Sequence, residues 1–383
     1  MSTIALEIQA IAVLVAVSCS LLGVFLVLRR MALLSDAISH TVLLGIVLGF
    51  FATNSLTSPL LVVAATLTGV LTVALVEVIR RTRLVKEDAA IGLVFPALFS
   101  IAVILIARYA NKVHLDTDAV LLGELAFAPF RRLEIAGTDV GPVSLWLMAG
   151  VLALDIAFVL LFYKELKLTT FDPALAAALG IAPGVVQYAF MTLVSVTAVG
   201  AFDAVGSVLV VALMIAPPAA AYLLSDRLKV VILLSAVLGA VSAIAGFWIA
   251  WLVDASFAGA MAGAAGMIFL LTFLLAPERG LVALARRRAR QKIEFAVRML
   301  TIHLHHHEGS PDAEEECRES HLHEHLRWTP EHARRVVQVA EREDFIRRTP
   351  GGLLELTAAG RVTARRALVP EGPAPAIGGP VPA

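Results

Sequence analysis

The fold of this chain is decided at the stretch Arg29-Arg30-Met31-Ala32-Leu33-Leu34-Ser35-Asp36-Ala37-Ile38-Ser39-His40. It follows a charge-free segment, Ile8–Leu28, that is long enough to span a bilayer, and it opens a second apolar segment that runs to Phe51. Because a helix brings residues four apart onto one face, Asp36 and His40 are expected to lie side by side. Ionisable groups at membrane depth are costly and usually serve the path of an ion or a substrate.

Two interpretations of this pair remain open at the level of sequence. A carboxylate and an imidazole one turn apart can together ligate a divalent metal ion. Alternatively, Asp36 and His40 are two polar residues that cap a helix at the membrane interface. The spacing alone does not distinguish these interpretations.

The composition indicates a membrane protein. The chain has 383 residues, of which 59% are apolar and 16% are charged, whereas a soluble protein carries about 25% charged residues. The net charge is zero, which gives no reason to expect a polyanionic partner. The two cysteines, Cys19 and Cys317, form no disulfide framework. The first apolar run has no basic leader before it, and we expect it to be a retained span.

Nine apolar segments of spanning length are predicted, and eight remain possible because the second is short and two others nearly touch. They are Ile8–Leu28, Ser35–Phe51, Leu60–Ile79, Ala89–Arg108, Val143–Tyr163, Pro183–Phe202, Ala204–Leu224, Val230–Val253 and Ala255–Ala276. With nine spans, the five main basic clusters fall on one side, which the positive-inside rule assigns to the cytoplasm. Arg131 and Arg132 then lie outside, and the apolar run Ala119–Phe130 is expected to enter the membrane as a short helix.

One cytoplasmic connection is predicted to be a self-contained short helix. Asp172 is placed to cap its N-terminus, and Pro173 suits its first turn. Gly180 is placed to end it, and Pro183 prevents its extension. Such a rigid helix can transmit force from a cytoplasmic partner, while a plain structured loop is the alternative.

Five runs in order resemble the membrane permease of the ABC importer family for manganese, zinc and iron. They are Leu28–His40, Lys86–Gly92, Tyr163–Leu166, Phe171–Pro173 and Val205–Pro217, within a match that covers nearly all of Ile8–Pro277. The family often has proline four residues after the histidine, where this chain has Leu44. That departure puts a local backbone kink in doubt but leaves both polar residues in place.

The resemblance implies a transport function and three kinds of partner. The expected partners are a cytoplasmic ABC ATPase, an extracytoplasmic metal-binding protein and a second permease subunit, identical or paired. In this family Asp36 and His40 match positions that hold the metal within the permease. The residues that match the helix coupled to the ATPase are Phe171, Asp172, Pro173, Leu175 and Leu179.

A further segment bears on which metal is transported. The segment Val113–Glu124 resembles the manganese/iron branch more than the zinc branch, so we expect manganese first and keep zinc and iron open. Carboxylate oxygen suits manganese, but imidazole accepts most first-row metals. His114, Asp116 and Asp118 are a possible entrance site, for which a solvated loop is the alternative. No permanently bound cofactor is expected.

The chain is not expected to be an enzyme, because it carries no Gly-rich phosphate-binding motif that ends in Lys and Ser or Thr. ATP hydrolysis therefore falls to a partner. Within the spans, Gly206 and the pair Pro217-Pro218 are expected breaks. Glu77 is expected to pair with nearby arginines, and Asp155 is a mid-span carboxylate without an identified partner.

The composition changes after Pro277. The basic run Arg286–Arg290 suits a membrane-surface anchor, and nucleic acid is not an expected partner because acidic residues nearly balance the basic ones. A helix after Thr329, two short strands around Gly351-Gly352 and a helix after Thr357 resemble the winged helix of metal-dependent repressors. Residues after Val369 are rich in Pro, Gly and Ala, which is typical of disorder.

Histidines concentrate in this tail. On a continuous helix Cys317, His321 and His325 share one face, and such a set can hold a borderline metal such as zinc. A polar helix face that happens to be rich in histidine is the alternative.

Together these patterns predict an all-α polytopic membrane protein with eight or nine spans and a small cytoplasmic α/β winged-helix-like domain. The expected boundaries are residues 1–280 for the permease, 281–369 for the His-rich domain and 370–383 for a disordered tail. The predicted function is the transmembrane subunit of an ATP-driven divalent-metal importer in the cell membrane. The alternative is a metal transporter or membrane-anchored metal sensor that needs no ATPase.

Overall fold

The structure, a computed structural model, describes residues 3–54, 58–82, 84–109, 125–135 and 138–368. These residues form two compact units that divide between Leu281 and Val282. The helices of the first unit are α1 (Thr3–Leu28), α2 (Ala32–Thr53), α3 (Pro59–Arg81), α4 (Glu87–Tyr109), α5 (Val143–Leu161), α6 (Tyr163–Phe171), α7 (Pro173–Ala178), α8 (Pro183–Val205), α9 (Ser207–Leu224), α10 (Leu228–Val253) and α11 (Phe257–Leu275).

Nine of the described helices, α1 to α5 and α8 to α11, are long and apolar enough to cross a membrane. In the most apolar 18-residue stretch of α1, 72% is buried inside the protein, whereas in the corresponding stretch of α11 only 22% is buried. The apolar side chains of the outer helices therefore face outwards, as a lipid-embedded bundle requires. Within the bundle, α1 packs on α5, α9 and α10, while α2 packs on α3 and α4.

Small residues allow close approach of the helices that carry the polar pair. A Cβ atom on Gly45 of α2 would lie 2.5 Å from the carbonyl oxygen of Ala64 on α3, so only glycine fits there. The Oγ1 of Thr72 on α3 donates to the Oγ1 of Thr41 on α2 at 2.8 Å in a buried setting. Helix α2 is therefore fixed closely to α3. It also runs without interruption past Leu44, which stands where the resembling family often has proline, so no kink is present there.

The break predicted at Gly206 is confirmed, and it separates the sixth and seventh spans, so the sixth span ends at Val205 rather than at Phe202. Helix α8 continues to Val205, and Gly206 adopts φ +79, a conformation that disfavours side chains with a Cβ. Helix α9 then begins at Ser207 and continues through Pro217 and Pro218 to Leu224, so the break predicted at the two prolines is wrong.

The connection before α5 contains a hairpin that the sequence did not reveal. Its strands are β1 (Arg132–Ile135) and β2 (Thr138–Pro142), preceded by a 3-10 turn at Ala128–Phe130. The predicted membrane helix at Ala119–Phe130 is not present in the part that is described, and residues 119–124 lie outside the described residues. Arg132 instead fixes the hairpin, because it pairs with Glu7 at 2.8 Å and with Asp139 at 2.7 Å.

The second unit is built on α12 (Leu281–His307) and α15 (Pro330–Arg342). Its remaining elements are α13 (Ala313–Glu316), α14 (Leu322–His325), β3 (Ile346–Arg348), β4 (Leu354–Leu356) and α16 (Ala358–Leu368). The predicted apolar face of α15 is confirmed, since Ala333, Val336, Val337 and Ala340 are all buried. They pack in one core with α12, Cys317 and the antiparallel pair β3–β4. Residues 369–383, the predicted disordered tail, lie outside the described residues.

Candidate metal site and coupling helix

The two polar residues of the opening motif lie together near the start of α2. Asp36 Oδ1 is 3.5 Å from His40 Nε2, and the side chains are 45% and 27% exposed, respectively. The His40 ring also packs on α4, with its centroid 5.2 Å from that of Phe95 and 5.9 Å from that of Phe99. The aromatic contacts orient the imidazole, while both polar groups keep an open side from which a cation can approach.

The backbone beneath this pair is held by the small polar residues of α2. Ser35 Oγ donates to the carbonyl of Ala32 and Ser39 Oγ donates to the carbonyl of Ser35, so both hydroxyls are satisfied within the helix. Neither hydroxyl therefore competes with a cation for Asp36. The side chains that face the open side are a carboxylate oxygen and an imidazole, a donor set that suits manganese, iron or zinc.

The predicted short helix is present with the predicted caps. Asp172 Oδ1 accepts a hydrogen bond from the backbone N–H of Leu175 at 2.9 Å, and Pro173 occupies the first turn of α7. Gly180 adopts φ +83, and the N–H groups of Gly180 and Ile181 donate back to the carbonyls of Ala177 and Ala176. These bonds close both ends of the helix without help from the rest of the chain.

The exposed side chains of this helix are apolar. Phe171, Leu175 and Leu179 are 60%, 46% and 63% exposed, whereas Ala176 is fully buried against the bundle. A self-capped helix that presents three large apolar groups is suited to docking on another protein. The preceding helix α6 extends this structured connection and was not predicted from the sequence.

Arg29 links this connection to the start of the polar motif. Its guanidinium donates to Thr169 Oγ1 and Thr170 Oγ1, both at 3.0 Å, and also to Gln187 Oε1. It lies 5.0 Å from the ring centroid of Phe190 on α8. One side chain thus joins the end of α1, the end of α6 and the first turns of α8, beside a cavity of about 340 Å³ that Pro173 of α7 also lines.

We expect Arg29→Ala to destabilise the first unit, because it removes three hydrogen bonds from a charged donor. The loss is on the order of 3 kcal/mol, since each bond to a charged group contributes about 1.5–3 kcal/mol but they are not additive. Thermal unfolding of the detergent-solubilised protein should show this as a lower midpoint. Arg30→Ala is the matched control, as Arg30 is exposed at the adjacent position. An equal drop in both variants would contradict the linking role of Arg29.

Two other intramembrane or interfacial carboxylates have protein partners. Glu77 pairs with Arg80 and Arg81, the latter at 3.0 Å, as predicted. Asp155 of α5 is fully buried, and both of its oxygens accept from the hydroxyl of Thr197 on α8, at 2.9 and 3.1 Å. Sequence analysis did not identify Thr197 as the partner of Asp155, because the contact arises from the packing of two helices that are far apart in the chain.

The tail residues do not have the geometry that the sequence predicted. Helix α13 ends at Glu316, Cys317 follows it, and α14 begins only at Leu322, so Cys317, His321 and His325 share no helix face. Cys317 is buried in the apolar core, and this burial raises the pKa of its thiol. A metal site at these three residues stays a prediction, but its premise of a continuous helix is wrong. The entrance site predicted at His114, Asp116 and Asp118 lies outside the described residues.

Comparison with known proteins gives consistent results. The family model described as the ABC 3 transport family matches residues 3–276. The zinc transport system membrane protein TroD of Treponema pallidum is 47% identical over 355 residues, which cover 93% of this chain and 96% of that protein. This alignment is longer than the first unit, so the similarity continues into the second.

A second curated relative and a solved structure each match about three quarters of this chain. The manganese transport system membrane protein MntD of Bacillus subtilis is 46% identical, over 75% of this chain and 97% of that protein. A solved structure, PsaBC from Streptococcus pneumoniae in complex with Fab, is 28% identical with a TM-score of 0.62, over 74% of this chain and 96% of that chain. With nine apolar helices and a family model that covers most of its length, the chain is a multi-pass membrane protein that belongs to the ABC 3 transport family.

Proposed function

We propose that this protein is the transmembrane subunit of an ATP-driven importer of divalent transition metal ions, with manganese as its main substrate and zinc or iron as alternatives. It receives the ion from an extracytoplasmic binding protein and is powered by a separate ATPase subunit. The chain itself catalyses no covalent chemistry. The observation that carries the proposal is the Asp36–His40 pair, which stands open on a helix of the bundle with oxygen and nitrogen donors on one side.

A second permease subunit would complete the metal site. Two protein ligands are fewer than the four or more that first-row divalent ions take in stable protein sites. Asp36 and His40 are both partly exposed in the single chain, so there is room for further ligands from outside it. In our proposal a second copy, or a paired permease subunit, brings its own polar residues to the same ion path.

Metal uptake in a suitable strain tests the proposed function. The host should lack its own manganese and zinc importers, and the cognate ATPase and binding protein should be supplied with this chain. We expect manganese to accumulate only when the ATPase is present. Added zinc or iron should compete with manganese and reduce its uptake. Accumulation without the ATPase would favour the alternative of an ATPase-independent transporter.

We further propose that the second unit lies in the cytoplasm and has a winged-helix-like fold. The cytoplasmic position follows from the basic clusters, which the positive-inside rule places on the side of Arg279 and Arg286–Arg290. The winged-helix assignment is supported by the order of α15, the hairpin β3–β4 and α16. An isolated antiparallel β-bridge between the backbones of Arg318 and Leu353 adds a third extended segment to this hairpin.

Removal of the second unit is expected to change regulation rather than transport. Deletion of the chain from Arg290 onward removes every residue of the second apolar core and leaves the nine spanning helices intact. We expect the truncated protein to retain metal uptake but to lose its response to cytoplasmic metal. Uptake should be measured in cells preloaded with graded amounts of metal. Complete loss of uptake by a truncated protein that inserts normally would contradict the proposal.

A further inference from the structure

The second unit contains a cluster of imidazole and carboxylate groups near the end of α12. One ligand atom each from His303, His307 and Glu316 lie within 4.8 Å of one another, and this is the only group of three or more such residues found among the described residues. His303 and His307 are one turn apart on α12, and their ring centroids are 4.8 Å apart. Glu316 reaches them from the end of α13, so tertiary structure brings the third group to the pair.

A fourth potential ligand lies beside the cluster. His325 Nδ1 is 3.2 Å from Glu316 Oε2, and its ring stacks near that of His303 with centroids 6.2 Å apart. The set is therefore three imidazoles and one carboxylate, supplied by α12, α13 and α14. None of the four residues belongs to the transport site or to the coupling helix.

One oxygen of the cluster is short of partners. Glu316 Oε2 is buried, and it has no well-aligned hydrogen bond from any described residue despite the proximity of His325. A buried carboxylate oxygen without a donor is costly, and a bound cation removes that cost. This observation is independent of the histidine spacing, and it points to a positively charged ligand.

The surroundings also orient one imidazole for metal binding. His303 Nε2 lies 3.1 Å from the backbone carbonyl of Glu316. In the tautomer that donates to this carbonyl, the other ring nitrogen carries a free lone pair, which is the arrangement that metal-bound histidines commonly show.

From this arrangement we infer that the second unit binds one zinc-type divalent ion through His303, His307 and Glu316, with His325 as the fourth ligand. Zinc takes nitrogen at about 2.0–2.1 Å in a tetrahedral site, so ligand atoms come to about 3.4 Å from one another. The ligand atoms of His303, His307 and Glu316 lie within 4.8 Å of one another, and His325 Nδ1 is already 3.2 Å from Glu316 Oε2, so rotation of the His and Glu side chains can bring the set to these distances. Nitrogen-rich ligation favours zinc over manganese, which distinguishes this site from the proposed transport site.

The experiment measures zinc bound to the full-length protein in detergent. The parent for this test carries Asp36→Asn and His40→Gln, so that the proposed transport site does not contribute. Equilibrium dialysis with zinc should give one tightly bound ion per chain, and cobalt should give the visible absorption of a tetrahedral site. His303→Ala with His307→Ala should weaken zinc binding by about a hundredfold or more, since loss of even an outer partner costs about 10–100-fold.

Three further variants make the result specific. Glu316→Gln keeps the shape of the side chain and should also weaken zinc binding, which guards against misfolding of the double variant. His306→Ala with His332→Ala removes two histidines outside the cluster and should leave binding unchanged. Cys317→Ala with His321→Ala should also leave it unchanged.

Several results would overturn the inference. They are zinc bound equally well by the His303/His307 variant, equal loss in the His306/His332 variant, loss confined to the Cys317/His321 variant, or binding of manganese in preference to zinc.

Discussion

Asp36→Asn is expected to reduce manganese uptake by about 100-fold or more, the largest effect we predict for a single substitution in this protein. The change keeps the size of the side chain but removes the charge that a divalent ion neutralises. Loss of an outer-shell partner already costs about 10–100-fold in metal affinity, so loss of a direct ligand should cost at least as much. The effect of Asp36→Asn is measured as the uptake of manganese and zinc by cells that lack their own importers.

His40→Gln should have a similar effect or change the metal preference. Glutamine retains a polar group at the contact with Phe95 and Phe99 but lacks the imidazole nitrogen. Oxygen ligation alone favours manganese over zinc, so a residual activity should shift in that direction. Because the bound ion is the compensating charge in our proposal, neither Asp36→Asn nor His40→Gln should destabilise the metal-free protein.

A carboxylate elsewhere in the bundle provides the control. Asp254 follows α10 in a left-handed conformation with φ +55, which asparagine also adopts readily. Asp254→Asn should therefore insert and transport like the parent. If Asp36→Asn also transports at the parental rate, the proposed metal site is wrong.

Substitution of both Leu175→Glu and Leu179→Glu should uncouple ATP hydrolysis from transport. These side chains are exposed on the self-capped helix, so the change should leave the fold of the bundle intact. Burial of a leucine contributes about 1.5–3 kcal/mol, so loss of both weakens docking on the ATPase by at least about 3 kcal/mol, more than about a hundredfold. Ala176 is a poorer target, because it is fully buried within the chain.

Co-purification of the ATPase and metal-stimulated ATP hydrolysis are the measurements for this variant. Leu84→Glu is the matched control, since Leu84 is 86% exposed in the connection between α3 and α4. Normal co-purification and transport in the Leu175/Leu179 variant would show that the ATPase docks elsewhere. Loss in the Leu84 variant as well would show that the effect is not specific to α7.

Local sequence signals predicted those parts of the fold that depend on neighbours in the chain. The caps of α7 follow from Asp172, Pro173 and Gly180, and each acts within a few residues of its own position. The apolar face of α15 likewise follows from a period of 3.6 residues. The spanning helices were predictable because a bilayer demands long apolar runs.

Features that depend on contacts between distant segments could not be predicted in this way. The partner of Asp155 is Thr197, and Glu316 of α13 meets histidines from two other helices, α12 and α14. The set Cys317, His321 and His325 was predicted from spacing on one helix, but a turn separates Cys317 from α14. Regular spacing indicates a shared face only where the helix is continuous, and a histidine-rich segment gives no reason to expect a break.

The most direct test of the account is ATP-driven metal accumulation in proteoliposomes that contain this chain and its ATPase. The parent and the double variant Asp36→Asn with His40→Gln should be compared, each with and without ATP, after both are shown to bind the ATPase. We predict that the parent accumulates manganese only with ATP and that the double variant accumulates none above its ATP-free level. Accumulation by the double variant at the parental rate would contradict the claim that Asp36 and His40 hold the transported ion.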